Sequence, residues 1–205
     1  MPLLNDLLSP EMAARLRPGA LPEWIPPMKA TATHRRFSDK EWIYERLLEG
    51  ERCLAFKSGN RAWLFSSGGG DRTSRYGEIR RALAAQEPHD FIMDGQAVPA
   101  AGEGGVAFHA FDLLYVEGHS LLRLPLRQRK SLLLSLFRFE RPLCYCPHVN
   151  ERGVDFHEEA CAKGWKGVMA KDARAPYLSG RSKKWIKFKC LPRQEAVVGG
   201  YTEPR

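Results

Sequence analysis

The sequence predicts an α+β fold, with mainly antiparallel sheets flanked by helices. Three observations carry this. Apolar runs of strand length come in pairs, as in Tyr44 to Phe56 and Ala62 to Ser66, with Ser58-Gly59-Asn60 turning between them. Amphipathic segments of helical spacing separate the pairs, such as Tyr76 to Ala85 with Ile79 and Leu83 apolar against Arg80 and Arg81. No internal repeat or low-complexity stretch interrupts the pattern, and Gly68-Gly69-Gly70 is only a loop signal.

The elements follow in order. Leu3, Leu4, Leu7, Leu8, Met12 and Leu16 lie at helical spacing up to Pro18-Gly19, which predicts an N-terminal helix within Met1 to Arg17. Pro22 to Ala32 reads as an extended lead-in, and Ser38-Asp39 as a turn or cap. Beyond the first strand pair and its helix, Phe91 to Val98 and Val106 to Tyr115 read as strands. Leu126 to Phe137 is a basic-then-leucine helix, Cys144 to Val149 a strand, and Phe156 to Lys163 a helix. Val168 to Lys171, Trp185 to Cys190 and Ala196 to Tyr201 complete the strands.

The 205 residues suffice for one sizeable domain, and 43% hydrophobic with 27% charged residues excludes a disordered chain. No apolar run reaches the roughly 20 residues of a membrane span. Met1 to Pro10 lacks the basic start of a signal peptide. The five cysteines are odd in number and scattered, which argues against a disulfide framework. Together these predict a cytoplasmic protein that does not engage membranes. A net charge of +8 favours a polyanionic partner, nucleic acid first, although many soluble proteins are mildly basic.

One stretch, Glu45-Arg46-Leu47-Leu48-Glu49-Gly50-Glu51-Arg52, resembles the nucleotidyltransferase signature Lys-x-Asp-Gly-x-Arg of ATP-dependent DNA ligases, with its first and third residues changed. Further blocks follow in that family's order. Ser66 to Asp71 stands where the family has Ser-Arg-Asn-Gly-x-Asp, and Asp94-Gly95-Gln96-Ala97-Val98 where it has Asp-Gly-Glu-x-Val. Phe111 to Gly118 is an intact match. Gly164 to Lys171 resembles Gly-x-Glu-Gly-x-x-x-Lys, and Pro176-Tyr177 with Trp185 to Lys189 resembles the last lysine-bearing strand. The resemblance is to the bacterial end-joining type, judged by Phe111 to Gly118 and by Gln194-Glu195 with Gly199-Gly200-Tyr201. It implies an ATP-grasp-like nucleotidyltransferase fold over residues 22–195. A helical extension over 1–21 would precede it. Residues 196–205 would begin the strand that leads, in relatives, to an OB-fold domain that this chain is not expected to contain.

In the family, the signature lysine attacks the α-phosphate of ATP and forms a lysyl-AMP phosphoramidate, which requires a nitrogen lone pair. Position 47 is leucine and has none. The neighbouring Arg46 stays protonated and on a strand would face the other way, while Lys57 lies past the turn. The family's two glutamates for ribose and metal contacts are Gln96 and Lys166 here, Glu49 replaces the aspartate, and Ser67 replaces an arginine. The connection from Val98 to Val106 is also short. Several coordinated changes point to natural divergence, a lost metal dependence and no assigned metal ligands. ATP or AMP remains a candidate ligand, alongside nucleic acid or a small anion.

The resemblance implies a pocket of Glu45, Leu47, Glu49, Arg52, Asp94, Gln96, Phe111, Lys166, Lys187 and Lys189. In it Phe111 would stack on a planar group, Arg52 would reach a ribose-like hydroxyl, and Lys187 and Lys189 would meet phosphate. The plainer alternatives are core for Phe111, a surface ion pair for Arg52 and a solvated strand face for the lysines. The ammonium of Lys166, standing where a metal would bind, could supply fixed positive charge instead. His109 is an acid–base candidate or a hydrogen-bonded structural histidine. Cys144, Cys146 and His148 could share one strand face, but no fourth zinc ligand is evident. Arg123, Arg127, Arg129 and Lys130 could meet phosphates or form an exposed helix face, and Arg181, Lys183 and Lys184 form a second basic cluster. Three functions stay open: a DNA ligase-like protein that binds nucleotide or nucleic acid without adenylating itself, linked to DNA repair; a repurposed pocket enzyme acting on a small phosphate- or carboxylate-bearing molecule; and a ligase active through another lysine.

Overall fold

The computed structural model describes residues 4–100 and 104–190. Two sheets lie face to face, and helices cover both outer faces. The chain opens with a 3-10 turn at Leu4–Leu7 and one helical turn, α1, at Pro10–Ala13. The predicted single N-terminal helix is therefore broken. Ser9 caps the second turn and Pro10, which has no N–H to continue a preceding helix, starts it. Then come β1 (Arg17–Pro18), β2 (Met28–Ala32), β3 (Trp42–Arg46), β4 (Glu51–Ser58), β5 (Arg61–Ser66), α2 (Gly77–Ala84), β6 (Asp90–Pro99) and β7 (Val106–Val116). The remainder is β8 (His119–Ser120), α3 (Leu126–Leu136), β9 (Leu143–Tyr145), β10 (His148–Asn150), α4 (Gly153–Ala162), β11 (Gly167–Asp172) and β12 (Gly180–Lys189). The strand expected from Ala196 lies outside the described residues.

The first sheet runs β1-β8-β7-β6-β4-β5, with β9 parallel to β7; the second runs β10-β3-β11-β12-β2. All other pairings are antiparallel except β12 with β2. Two segments read from the sequence as single strands are each split between the sheets. Tyr44 to Phe56 breaks at Leu47–Gly50 into β3 of the second sheet and β4 of the first. Cys144 to Val149 breaks at Cys146–Pro147, so Cys144 and His148 sit in different sheets and share no face.

Burial explains the layering. On β4, Cys53 and Ala55 join the outer cluster under α2 and α3, while Leu54 and Phe56 point into the cluster between the sheets. Being covered on both faces, the strand reads as a continuous apolar run rather than an alternation. Each fully buried leucine or phenylalanine here stabilises the fold by about 1.5–3 kcal/mol relative to exposure. The second sheet packs its outer face, Tyr44, Val168, Ala170 and Phe188, against Ala160 of α4.

Gly50 and Gly167 fit the crossover for separate reasons. A side chain at Gly50 would overlap the Ala97 carbonyl, so only glycine lets the crossover lie against β6. Gly167 has φ +142° and abuts the Phe188 carbonyl; its own carbonyl accepts the Leu47 N–H at 2.9 Å. The β11 hairpin thereby holds position 47 in place.

Two of the basic residues on α3 are not at the surface. Arg129 and Lys130 are buried, contrary to both sequence expectations for them, whereas Arg123 and Arg127 are exposed. Arg129 makes a bidentate pair with Asp112 (2.7 and 2.8 Å) and donates to the Leu124 and Ala175 carbonyls. Lys130 donates to Glu45 at 2.6 Å and to the Cys146 carbonyl at 2.9 Å. Buried charges persist only when paired in this way.

Candidate functional site

Two cavities meet at the Leu47 crossover. The first, about 350 Å³, lies between the sheets. Of the residues singled out from the sequence, Glu45, Leu47, Arg52, Gln96, Phe111 and Lys187 border it, together with Lys29, Lys171, Arg181 and Trp185. The second, about 480 Å³, is bordered by Leu47, Glu49, His109 and Lys166, with Arg141 and Trp165. Arg46, Leu47 and Leu48 belong to both. Asp94 and Lys189 border neither: Asp94 is fully buried beneath Arg52, and Lys189 is exposed at the end of β12. Ser67 sits exposed in the turn after β5, also away from both cavities.

Aromatic and basic groups dominate the first cavity. Phe111 and Trp185 meet edge to face at 5.8 Å. The Lys171 ammonium lies 4.1 Å from the Phe111 ring centre and 4.4 Å from that of Trp185. It also lies 2.5 Å from Glu45 Oε2, without an aligned hydrogen bond, so the cation is shared between the carboxylate and the two rings. Burial alone would raise the Glu45 carboxyl. The ammonium groups of Lys130 and Lys171 outweigh that and hold it below the ordinary range. Burial would likewise lower Lys130, but Glu45 raises it.

Arg52 is committed to protein groups. Its Nε and Nη2 donate to the two Asp94 oxygens at 2.9 and 2.6 Å, and Nη1 donates to the Met28 carbonyl at 2.6 Å. Tyr177 O–H donates to Asp94 Oδ2 at 2.7 Å. Arg52 is thus a partly buried partner of the fully buried Asp94, with one edge on the cavity, rather than a surface pair.

The positions that would hold a divalent metal do not suit one. Gln96 directs its amide nitrogen to the Leu48 and Gly50 carbonyls at 3.3 and 2.9 Å. Lys166 pairs with Glu49 at 3.5 Å. Among the described residues, the only carboxylate bordering the first cavity, Glu45, is sandwiched between the Lys130 and Lys171 side chains. A divalent cation would meet fixed positive charge at this place instead of free carboxylate oxygens.

His109 stands beside Arg46 and Arg141, and burial followed by these two guanidinium groups lowers its pKa. These groups disfavour its protonated form, and the imidazole borders the second cavity, not the first. Lys57, the other lysine near the signature, is buried on the α2 side of the sheet, where it donates to the Gln86 and Pro88 carbonyls at 3.0 and 2.6 Å.

Sequence reasoning did not place Lys29, Lys171, Arg181 or Trp185 at the cavity, although it marked Arg181 as part of a basic cluster. Lys171 and Trp185 fall within blocks already recognised. Lys29 and Arg181 had only their charge to mark them, because the parallel pairing of β2 with β12 that brings them together spans about 150 residues of chain (Lys29 opposite Arg181).

Acidification is expected to weaken the fold in two stages. Burial, then Lys130, lowers His148 from 6.5 to about 4, and its Nδ1 is buried without a partner. Between pH 6.5 and 4 the unfolded chain takes up a proton that the folded chain refuses, so stability falls by on the order of 2 kcal/mol. Below about pH 4.5 Glu45 adds a second loss: its depressed carboxyl stabilises the fold above the unfolded value, and that gain disappears as pH drops through the folded one. Thermal melts from pH 7 to 4 should show the first stage in the native chain and its absence in His148→Gln.

Known proteins share this fold. Residues 100–189 match the family model for the ATP dependent DNA ligase domain. The multifunctional non-homologous end joining protein LigD of Pseudomonas aeruginosa is 34% identical over 204 residues, covering 90% of this chain and 24% of that protein. The SPbeta prophage-derived DNA ligase-like protein LigB of Bacillus subtilis is 25% identical, covering 88% and 73%. Among solved structures, mycobacterial DNA ligase D complexed with ATP and MES superposes with a TM-score of 0.68 at 28% identity, covering 80% of this chain and 59% of that one. The ligase domain of LigD from M. tuberculosis gives 0.65 at 28% identity, covering 80% and 58%. This chain spans about a quarter of the length of the Pseudomonas LigD that it matches. Within that span, sequence identity and fold agree: the chain belongs to the ATP-dependent DNA ligase adenylation domains, of the bacterial end-joining type.

Proposed function

We propose that this chain is a ligase-like protein of DNA repair that holds a nucleotide, or the end of a nucleic acid strand, without adenylating itself. The observation that carries the reading is the aliphatic Leu47 side chain at the junction of the two cavities, where the family places its nucleophile. Supporting it, six basic side chains among the described residues border the first cavity (Lys29, Arg46, Arg52, Lys171, Arg181, Lys187) against one carboxylate, and it has an aromatic pair suited to a planar group. The mycobacterial ligase D neighbour was solved with ATP, which makes an adenine nucleotide the first ligand to try.

Calorimetric titration of the chain with AMP, and separately with a short 5′-phosphorylated single strand, tests the reading. Binding is expected to survive chelator undiminished, because fixed cations replace the metal. Trp185→Ala is expected to weaken it by about 1–3 kcal/mol, the usual worth of one base-stacking aromatic. A strict magnesium requirement would remove the metal-independent part of the proposal, and failure of both ligands to bind would remove the whole.

A second reading draws support from the Lys166–Glu49 pair and the second cavity. There Arg46, Arg141 and Lys166 border the same cavity as His109, an arrangement able to handle a small phosphate- or carboxylate-bearing substrate. Competition separates the two: a small anion that binds without displacing AMP favours the second cavity as a site of its own.

A further inference from the structure

On the far side of the second sheet from the cavities, three sulfur and nitrogen donors converge. His157 and Cys161 sit four residues apart on α4 and so share a face. Cys190 immediately follows β12. Contrary to the sequence expectation of no disulfide framework, Cys161 and Cys190 are joined by a disulfide, 29 residues apart in sequence, leaving Cys53, Cys144 and Cys146 free.

His157 makes this more than a structural clip. Its imidazole is 2% exposed, and a buried neutral imidazole needs both an acceptor and a donor. It meets little that is strong. Nε2 is 3.3 Å from the Lys189 carbonyl, 3.6 Å from Cys161 Sγ and 3.9 Å from Cys190 Sγ, while Nδ1 has only Cys161 Sγ at 3.7 Å. The three donor atoms all lie within 4.8 Å of one another. One imidazole and two thiolates match the preference of zinc-like cations, which bind through such sets in a tetrahedral shell. Among the described residues no fourth histidine, cysteine or carboxylate joins the group. Cys161 is exposed, so water can complete the shell.

We propose that, once the disulfide is reduced, His157, Cys161 and Cys190 hold one zinc-class divalent cation, so that these side chains carry either a disulfide or a metal but never both. The chemistry balances. A dithiol reductant supplies two electrons and two protons, breaks the Cys161–Cys190 bond and leaves as its own disulfide. The two thiols then release their protons to solvent as their sulfurs bind the cation, and His157 contributes a neutral nitrogen. In either state α4 is fastened to the end of β12, the strand that carries Trp185 and Lys187 to the first cavity.

Cobalt(II) serves as the probe, added to the full chain after reduction by a non-chelating phosphine. One equivalent should bind with the intense near-ultraviolet thiolate charge-transfer absorption and the visible bands of a tetrahedral ion. His157→Ala should weaken binding by at least about tenfold. Cys161→Ser with Cys190→Ser should abolish the charge-transfer band, and the oxidised native chain should bind none. Absence of the band in the reduced native chain, or its persistence in the double variant, overturns the proposal. Should the double variant fail to fold, alkylation of the reduced native chain read by mass spectrometry decides: zinc is expected to protect Cys161 and Cys190 but not Cys144, and equal labelling of all three with and without zinc overturns it.

Discussion

Incubated with ATP and magnesium, the native chain is expected to acquire no covalent AMP, its label lying on the order of 10⁶-fold below that of a competent enzyme, the size of loss that follows removal of a covalent nucleophile. The reason is a shortage of available nitrogens. Leu47 contributes none. The Arg46 guanidinium stays protonated and lies 4.8 Å over the Trp165 ring. Lys57 is sealed behind the sheet, and Lys130 and Lys171 are both held against Glu45. Only Lys29 and Lys187 border the first cavity without such a partner among the described residues. Leu47→Lys alone is expected to stay near background, since Lys166 keeps an ammonium where the chemistry calls for a metal carboxylate. Leu47→Lys combined with Gln96→Glu and Lys166→Glu is expected to regain a detectable adduct. Denaturing gels with labelled ATP and intact mass measurement check both. An AMP adduct on the native chain, mapped to Lys29 or Lys187, would show an active enzyme and end the proposal of a non-adenylating protein.

Arg129→Met is expected to lower the unfolding free energy by about 3–5 kcal/mol, the cost of leaving one member of a buried ion pair alone. Arg129 and Asp112 are both fully buried, and the guanidinium also satisfies two backbone carbonyls. Adding Asp112→Leu removes the stranded charge and should recover roughly half of the loss. The carbonyl of Leu124 would remain without its Arg129 donor, which limits the recovery. Denaturant unfolding of the two variants gives the comparison. A single variant within about 0.5 kcal/mol of native would mean that the pair contributes nothing.

Much of the fold was legible because local pattern and tertiary burial agree. The helices α2, α3 and α4 and the long strands β6 and β7 lie where spacing put them, within a residue or a few of their ends. The failures share a cause: information carried by distant partners. Tyr44 to Phe56 looks like one strand because both halves are apolar, and only the packing of Gly50 against Ala97 reveals the crossover. Arg129 and Lys130 looked like surface residues because their counter-ions, Asp112 and Glu45, lie 17 and 85 residues away. The pairing of Cys161 with Cys190 is likewise invisible until α4 and β12 are neighbours. The candidate site was legible where a residue's neighbours in sequence also surround it in space, as for Leu47 and Phe111. It was not for Asp94 and Lys189, whose strand positions belong to the motif but whose side chains do not border the cavity.

The Glu45 clamp carries an implication for how such chains are recognised. Glu45, Gly50, Arg52, Asp94 and Lys171 are held by the architecture itself, through ion pairs and a close backbone approach that folding needs with or without catalysis. Leu47 has no polar contact of this kind, Gln96 adds only hydrogen bonds to the Leu48 and Gly50 carbonyls, and Lys166 only an exposed pair with Glu49. A lineage that abandoned ligation could therefore keep its scaffold-bearing letters indefinitely, and resemblance scored across the whole domain would register ancestry while remaining nearly blind to whether the enzyme still works.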